Sequence, residues 1–355
     1  MPDRGDAPSG KAMHKLNPQV NISRPTAARM WLVFFCAFFA VLQSSFTDSG
    51  ASLFVVFASL ISAVLCELLM TYKLYGFEKI RDGSAAASAL VLALLLPNQI
   101  HPLYAALGAA FAMLVVKHSF GGLGSNWMNP ALGGWLFIRF SWPAAFAGAL
   151  EGTAVPFQGA GSAIDQLIRG FLNKYVFTFF KAELPSGYVD LFSLNGPGII
   201  ADRAVFALVL ATAVIAAFQI GRSWISFLYA AFYALFIWMA GDLPSGGFWW
   251  NGDIIFALFS GGALAAAFFL AADPSSGAKS APGSAAAAIL AAALSMLFRV
   301  YASAFYGCFF AVALVNTVTP LICRLERRLL YSLNPAETEL PADGGATGSG
   351  AGGSV

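Results

Sequence analysis

Apolar runs about as long as a bilayer is thick recur along this chain, and they set the class of fold it can adopt. Of its 355 residues 58% are hydrophobic and only 11% are charged, whereas soluble domains carry roughly a quarter charged residues. Ten candidate spans follow one another: 29–47, 51–71, 84–98, 102–117, 129–149, 199–220, 223–240, 254–272, 285–301 and 304–323. Because backbone polar groups inside a bilayer must be satisfied internally, we expect an all-α integral membrane protein. It would have about ten transmembrane helices, some of them short or broken.

Lysine and arginine are distributed unevenly between the loops. With the N-terminus placed in the cytoplasm, fourteen lie on the cytoplasmic side, and three, Arg169, Lys174 and Lys181, lie on the other. Cytoplasmic loops of membrane proteins carry the excess of basic residues. The sequence therefore predicts cytoplasmic N- and C-termini, an outward-facing insert at 150–198 and a multi-pass protein of the cytoplasmic (cell inner) membrane.

Composition divides the chain into one membrane domain with two polar ends. Residues 1–28 form a basic cytoplasmic segment, 29–323 the membrane domain, and 324–355 a cytoplasmic tail whose Gly- and Ser-rich end is typical of disorder. A net charge of +2 gives no indication of a nucleic-acid partner. The four cysteines form no Cys-x-x-Cys pair, so the sequence predicts no metal site within this chain.

The outward insert contains a hydroxyl residue in a flexible setting. Ser162 follows Gly159 and Gly161 and precedes a predicted amphipathic helix over 163–174. Glycines let backbone amides approach a phosphate, and helix N-termini attract anions. Taken alone, the pattern is also typical of a helix N-cap at Ser162 with Asp165 in the first turn.

Two further places in the membrane domain attract attention. Glu67 is a carboxylate inside a span, which makes it a candidate for an ion pathway, although it lies near enough to the cytoplasmic end to reach the interface. The loop at 121–130 contains Gly121, Gly122, Asn126 and Asn129 at the mouth of the fifth span. It could line a ligand or ion path, or form a compact interhelical turn.

Several segments together resemble the RnfD family, whose near relative is the NqrB subunit of sodium-pumping quinone reductase. They are Arg-Asp-Gly-Ser at 81–84, Lys-His-Ser-Phe-Gly-Gly-Leu-Gly-Ser-Asn-Trp-Met-Asn-Pro-Ala at 117–131, Gly-Gly at 261–262 with Phe-Phe-Leu-Ala-Ala-Asp-Pro at 268–274, and Asn-Thr-Val-Thr-Pro-Leu at 316–321. The resemblance implies a membrane flavoprotein subunit of an ion-translocating electron transport complex, a ferredoxin:NAD oxidoreductase of the Rnf type. Such a subunit passes electrons while sodium ions or protons move, and it is not an enzyme alone.

The same resemblance implies covalent FMN, joined through its phosphate to a Thr hydroxyl in a Ser-Gly-Ala-Thr motif on the outer side. Aligned with that motif, Ser162 takes the linking position, and Gly159, Gly161 and Asp165 are the other residues expected at this flavin site. Thr153 is a second candidate. The implied partners are an FMN transferase and the other Rnf-type subunits, both membrane subunits and outward-facing flavoproteins. The loop with Asn126 and Asn129 would shape a flavin or ion path, and a second, noncovalent flavin is left open.

This chain departs from the family motif at three points. Ser replaces Thr, Gly and Ala are exchanged before it, and Ala163 replaces Pro. A Ser hydroxyl can form the same phosphoester, so the chemistry survives the change. Arg139 and Arg299, within or at the edge of spans, are candidates to pair with outer-face carboxylates or a flavin phosphate. Two other function classes stay open: a solute channel or secondary transporter, and a scaffold subunit without flavin.

Overall fold

The computed structural model describes residues 26–47, 50–74, 82–119, 126–150, 163–178, 186–193, 198–218, 223–240, 250, 252–273, 276–278 and 280–333. Within them the helices are α1 (Thr26–Thr47), α2 (Ala51–Leu74), α3 (Ser84–Leu95), α4 (Pro102–Phe111, continuing as a π-helix, Ala112–His118), α5 (Pro130–Ser141), α6 (Pro143–Leu150), α7 (Ala163–Leu172, continuing as a π-helix, Asn173–Phe177), α8 (Tyr188–Ser193), α9 (a 3₁₀ turn, Ile200–Ala204, then Val205–Ala217), α10 (Ser223–Ala240), α11 (Ile254–Phe259), α12 (Ala263–Ala265, continuing as a π-helix, Ala266–Ala271), α13 (Ala281–Tyr301) and α14 (Gly307–Leu333). The described residues contain no strand, and a single isolated bridge joins Pro97 to Ile199.

The prediction of an all-helical, multi-pass membrane protein is confirmed for this part of the chain. Five helices are long and apolar enough to cross a bilayer: α1, α2, α9, α13 and α14. Three shorter apolar helices, α3, α4 and α10, coincide with further predicted spans. The count of ten spans, the orientation and the division into end segments stay predictions. α14 continues to Leu333, so the first ten residues assigned to the tail are helical.

Two of the predicted spans are broken helices. The span at 129–149 divides between α5 and α6 at Pro143, whose ring and missing N–H prevent a continuous helix. The span at 254–272 divides at Gly261 and Gly262, which have φ of +60° and +63°. A side chain is excluded there, because a Cβ on Gly261 would lie 2.5 Å from the Ala304 carbonyl oxygen. The absence of side chains at Gly261 and Gly262 lets neighbouring helices cover the interrupted backbone there.

The centre of the bundle is formed by α3 and by a close crossing of α4 and α5. Ten of the twelve residues of α3 are buried, as expected of a helix that is apolar all round. At the crossing, a Cβ on Gly134 would overlap the Gly108 carbonyl oxygen. Small residues at such crossings let backbones approach, which is how helices gain packing energy inside lipid.

Candidate functional site

The insert that follows α6 is described from Ala163 onward. Ser162, Gly159, Gly161 and Thr153 lie outside the described residues, as do Gly121 and Gly122 of the other candidate loop. Asp165, in the first turn of α7, is fully buried. Its Oδ1 accepts a hydrogen bond from the Val189 amide at 3.0 Å, and Arg169 Nε lies 3.6 Å from its Oδ2. Asp165 therefore joins α7 to α8.

α8 is in turn held by α11. The Tyr188 hydroxyl donates a short hydrogen bond to Asp253, whose other carboxylate oxygen accepts from the Phe256 amide at 3.0 Å and caps α11. Burial, followed by the hydrogen bond to Asp253 and its charge, raises the pKa of the Tyr188 hydroxyl above its usual value. The chain of contacts fixes α7 and α8 at the end of the bundle where α11 begins.

Asn126 and Asn129, after the 120–125 stretch, have different environments. Asn129 caps α5, since its Oδ1 accepts from the Ala131 amide at 2.9 Å, and its Nδ2 donates to the Phe269 carbonyl at 3.2 Å. Asn126 is 3% exposed, and neither its Nδ2 nor its Oδ1 has a partner among the described residues. Buried amides are almost always hydrogen-bonded, so an unpartnered one requires an explanation. Asn129 is thus used by the fold, whereas the Asn126 amide has capacity to bind a ligand.

Glu67 is buried in a charged cluster between α2, α3 and α4. Lys117 Nζ donates to Glu67 Oε1 at 2.7 Å and to Ser84 Oγ at 2.7 Å, and both charged side chains are at most 5% exposed. His118 Nε2 lies 2.8 Å from Glu67 Oε2. Ser84 Oγ donates onward to Asp82 Oδ1 at 2.7 Å. The Glu67 carboxylate therefore does not reach out to the interface, and Lys117 neutralises it.

The sequence argument missed this pair because it counted Lys117 as a cytoplasmic loop charge. Its position could have indicated the pair. Lys117 ends the apolar run of α4, and in the predicted topology that run ends on the same side of the membrane as α2, which carries Glu67. His118, which the sequence placed in a turn, lies at the end of the π-helix that continues α4.

A second buried cation lies at the break between α11 and α12. The Arg299 guanidinium, in a residue only 2% exposed, donates to the Tyr233 hydroxyl at 2.7 Å and to the Ala304 carbonyl at 3.1 Å. It also bonds the Ala257 carbonyl and the Ser260 hydroxyl. These hydrogen-bond partners are neutral acceptors. The buried Asp202 carboxylate, which accepts from the Gly262 amide at 2.8 Å, interacts with the Arg299 charge, so a carboxylate does lie near this arginine. Arg299 satisfies backbone and side-chain oxygens that the interrupted helix leaves exposed.

The last two segments of the family resemblance meet in a cleft between α12, α13 and α14. Polar side chains of Asp273, Ser284, Asn316 and Thr319 line it among alanines and valines. Asn316 is 6% exposed, and its Nδ2 has no partner within the part of the chain that the structure describes. Residues that are far apart in the sequence thus form one polar surface in the bundle.

Comparisons with known proteins place this arrangement in a family. Residues 13–331 match the model of the NQR2, RnfD, RnfE family. The chain is 29% identical, over 92% of its length and 97% of the relative, to the D-type subunit of the Na(+)-translocating ferredoxin:NAD(+) oxidoreductase complex of Acetobacterium woodii. It is 28% identical, over 86% of its length and 92% of the relative, to the D-type subunit of the proton-translocating ferredoxin:NAD(+) oxidoreductase complex of Clostridium ljungdahlii.

A shorter similarity, 34% over 128 residues, covers 36% of the chain and 31% of the B-type subunit of the Na(+)-translocating NADH-quinone reductase of Haemophilus influenzae. The family model, by contrast, spans nearly the whole membrane domain. The chain therefore belongs to the NQR2, RnfD, RnfE family.

Proposed function

We propose that this chain is the D-type subunit of an ion-translocating ferredoxin:NAD oxidoreductase complex and carries electrons through bound flavin. The observation that carries the proposal is similarity over nearly the full length of two relatives named as D-type subunits of such complexes. The membrane-spanning helices fit a subunit of a translocating complex. The other subunits of the complex are its partners, and the bacterial inner membrane is its location.

The covalent flavin in this proposal is FMN, esterified through its phosphate to Ser162 by an FMN transferase. α7 begins at Ala163, the residue that follows Ser162 in the sequence, and a helix N-terminus favours a phosphate. Gly159 and Gly161 would supply backbone amides to the phosphate, and Arg169 adds positive charge one turn or two further on. Asp165, already bound to α8, would hold α7 in place rather than contact the cofactor. Thr153 is the alternative attachment point. A flavin supplies reversible electron transfer, which no side chain of the protein provides.

A second, noncovalent flavin is proposed at the loop that precedes α5. Asn126 fits it, since its buried amide presents a donor and an acceptor that no described residue satisfies. The ring edge of a flavin carries both carbonyl acceptors and an N–H donor. Asn129 would fix the loop through its bonds to α5 and α12, and Gly121 and Gly122 would let the chain pass close to the ligand.

For ion movement we propose a route past Glu67. In this structure Lys117 occupies the position that a translocated cation would take beside the carboxylate. Passage of a cation then requires the Lys117 ammonium to move away from Glu67. The Ser84 hydroxyl would remain as a hydrogen-bond acceptor for the displaced ammonium. The two relatives of nearly equal identity are named for different ions, sodium and protons, so the ion has to be measured.

The test uses inverted membrane vesicles from a host in which the gene is deleted and then restored on a plasmid. The proposal predicts that ferredoxin-dependent NAD reduction is lost on deletion and restored with the wild-type chain. Uptake of either sodium ions or protons should follow the same pattern. Restoration of solute uptake without any effect on NAD reduction would instead indicate a channel or secondary transporter. Full activity with a chain that carries no flavin would indicate a scaffold subunit.

A further inference from the structure

The helix α7 presents three different faces, and one of them is apolar without being covered by the described part of the protein. At about 100° per residue, Asp165 and Leu172 fall on one face, and Gln166 and Gly170 fall on a second. The third face carries large apolar side chains at intervals of four residues: Leu167, Phe171 and Tyr175. Asp165 is fully buried against α8, whereas the third face stays exposed. We call Leu167, Phe171 and Tyr175 the apolar stripe.

The three large side chains of the apolar stripe are mostly exposed. Leu167 is 77% exposed, Phe171 60% and Tyr175 62%. The rings of Phe171 and Tyr175 contact each other, with centroids 4.9 Å apart. Burial of one such side chain is worth roughly 1.5–3 kcal/mol, so three left in water along about 12 Å of helix would be costly. The stripe therefore requires a partner.

The charges of α7 indicate what that partner is. Asp165 is its one acidic residue and is buried. The charged side chains that reach solvent are basic: Arg169, whose side chain is 32% exposed, and Lys174. Lys174 Nζ lies 5.3 Å from the Tyr175 ring centroid, at the edge of the stripe. Arg169 is paired with Asp165 on the face turned to α8, so Lys174 is the basic residue beside the stripe. An apolar and aromatic face with a basic residue at its edge is the pattern of a helix that lies in a membrane interface.

The position of α7 in the fold agrees with this pattern. α7 is attached to α8 through Asp165, and α8 is attached to the start of α11 through Tyr188 and Asp253. α8 also packs against the 3₁₀ turn that opens α9, one of the candidate membrane spans. α9 is a candidate membrane span and α11 opens a span expected from the sequence, so α7 lies beside the ends of two spans.

We propose that α7 is an interfacial anchor, which inserts the apolar stripe into the bilayer surface and binds anionic lipid headgroups through Lys174. This inference does not depend on the flavin. It would also give the insert a mechanical role, because the segment before Ala163 would be held close to the membrane surface.

The experiment uses the full chain in its complex, reconstituted into phosphatidylglycerol vesicles. Phe171→Cys places a thiol in the stripe, and Gly170→Cys is the control at an exposed position next to the stripe, where a Cβ meets nothing within 4 Å. A membrane-impermeant thiol reagent carrying an environment-sensitive fluorophore labels each variant, with the labelled wild type as background. Leu167→Cys repeats the measurement on the same face, in case one variant does not fold.

At positions 167 and 171 we expect blue-shifted emission and several-fold stronger quenching by brominated lipids than at position 170. Lys174→Glu in the Phe171→Cys variant should reduce that quenching. Quenching of all three positions by aqueous iodide alone would overturn the proposal. Protection of the stripe from both quenchers would also overturn it, because it would indicate a protein surface covering the stripe. Unchanged quenching in the Lys174→Glu variant would refute the binding of anionic headgroups.

Discussion

Removal of the Lys117 ammonium by Lys117→Met is expected to destabilise the membrane domain strongly, because it leaves the Glu67 carboxylate buried without its main counter-charge. The two groups are 2.7 Å apart, with side chains 3% and 5% exposed. At an effective dielectric constant of about 20 their attraction is roughly 6 kcal/mol, of which desolvation offsets a large part. Loss of one partner of a buried pair typically costs about 3–5 kcal/mol, and we expect a loss in this range.

Glu67→Gln should cost a similar amount, since it leaves the Lys117 ammonium buried without its counter-charge and bonded to neutral oxygens such as the Ser84 hydroxyl. The double variant should cost less than either single variant, because no uncompensated charge remains. Reversible unfolding of the purified chain in mixed detergent micelles would give the free energy of unfolding for all four proteins. Losses that simply add up in the double variant would refute the reasoning, because they would show that the two charges do not interact.

Other predictions concern separate parts of the fold. Gly134→Ala should destabilise the chain, since its Cβ would overlap a backbone oxygen of α4, whereas Gly170→Ala in open space should stabilise α7 by about 0.5–1 kcal/mol. Thermal unfolding in detergent distinguishes the two. Asn129→Ala should cost about 1 kcal/mol as a lost helix cap. Asn126→Ala should leave the fold intact but lower noncovalent flavin content, which extraction and fluorescence would measure. The pKa of Tyr188 is raised in the folded protein. Its contribution to the free energy of unfolding is therefore fully present below the unfolded-state pKa of about 10 and is lost as the pH rises through the folded-state pKa. Tyr188→Phe should remove this alkaline sensitivity, as followed by proteolysis of the insert.

Much of the helical architecture could be predicted because the bilayer imposes it. Apolar length indicated most helices to within a few residues, including the short α3 and α4, which were expected at 84–98 and 102–117. The break between α11 and α12 was not predicted, since two adjacent glycines within an apolar run are equally compatible with a continuous span. The break is stabilised by Arg299, which is distant in the sequence and donates hydrogen bonds to oxygen acceptors around the break.

The candidate site was only partly predictable for a similar reason. Glu67 was identified as a carboxylate inside a span, with the interface left open as its environment. Its partner Lys117 is 50 residues away and was counted among the cytoplasmic basic residues. Asn126 and Asn129 were proposed together. The hydrogen bond from Asn129 to Phe269 of α12 identifies Asn129 as structural, whereas no described residue hydrogen-bonds the Asn126 amide. Local pattern can indicate which residue types matter, whereas the choice among neighbours depends on long-range packing.

The central claim, that this chain carries flavin, is tested most directly by the intact mass of the full-length protein made in a host with an FMN transferase. The account predicts an FMN-sized adduct on the wild type, absent in Ser162→Ala and retained in Thr153→Ala. Loss of the adduct in Thr153→Ala alone would move the attachment point to that residue. A wild-type chain with no adduct, indistinguishable from Ser162→Ala, would contradict covalent flavin attachment.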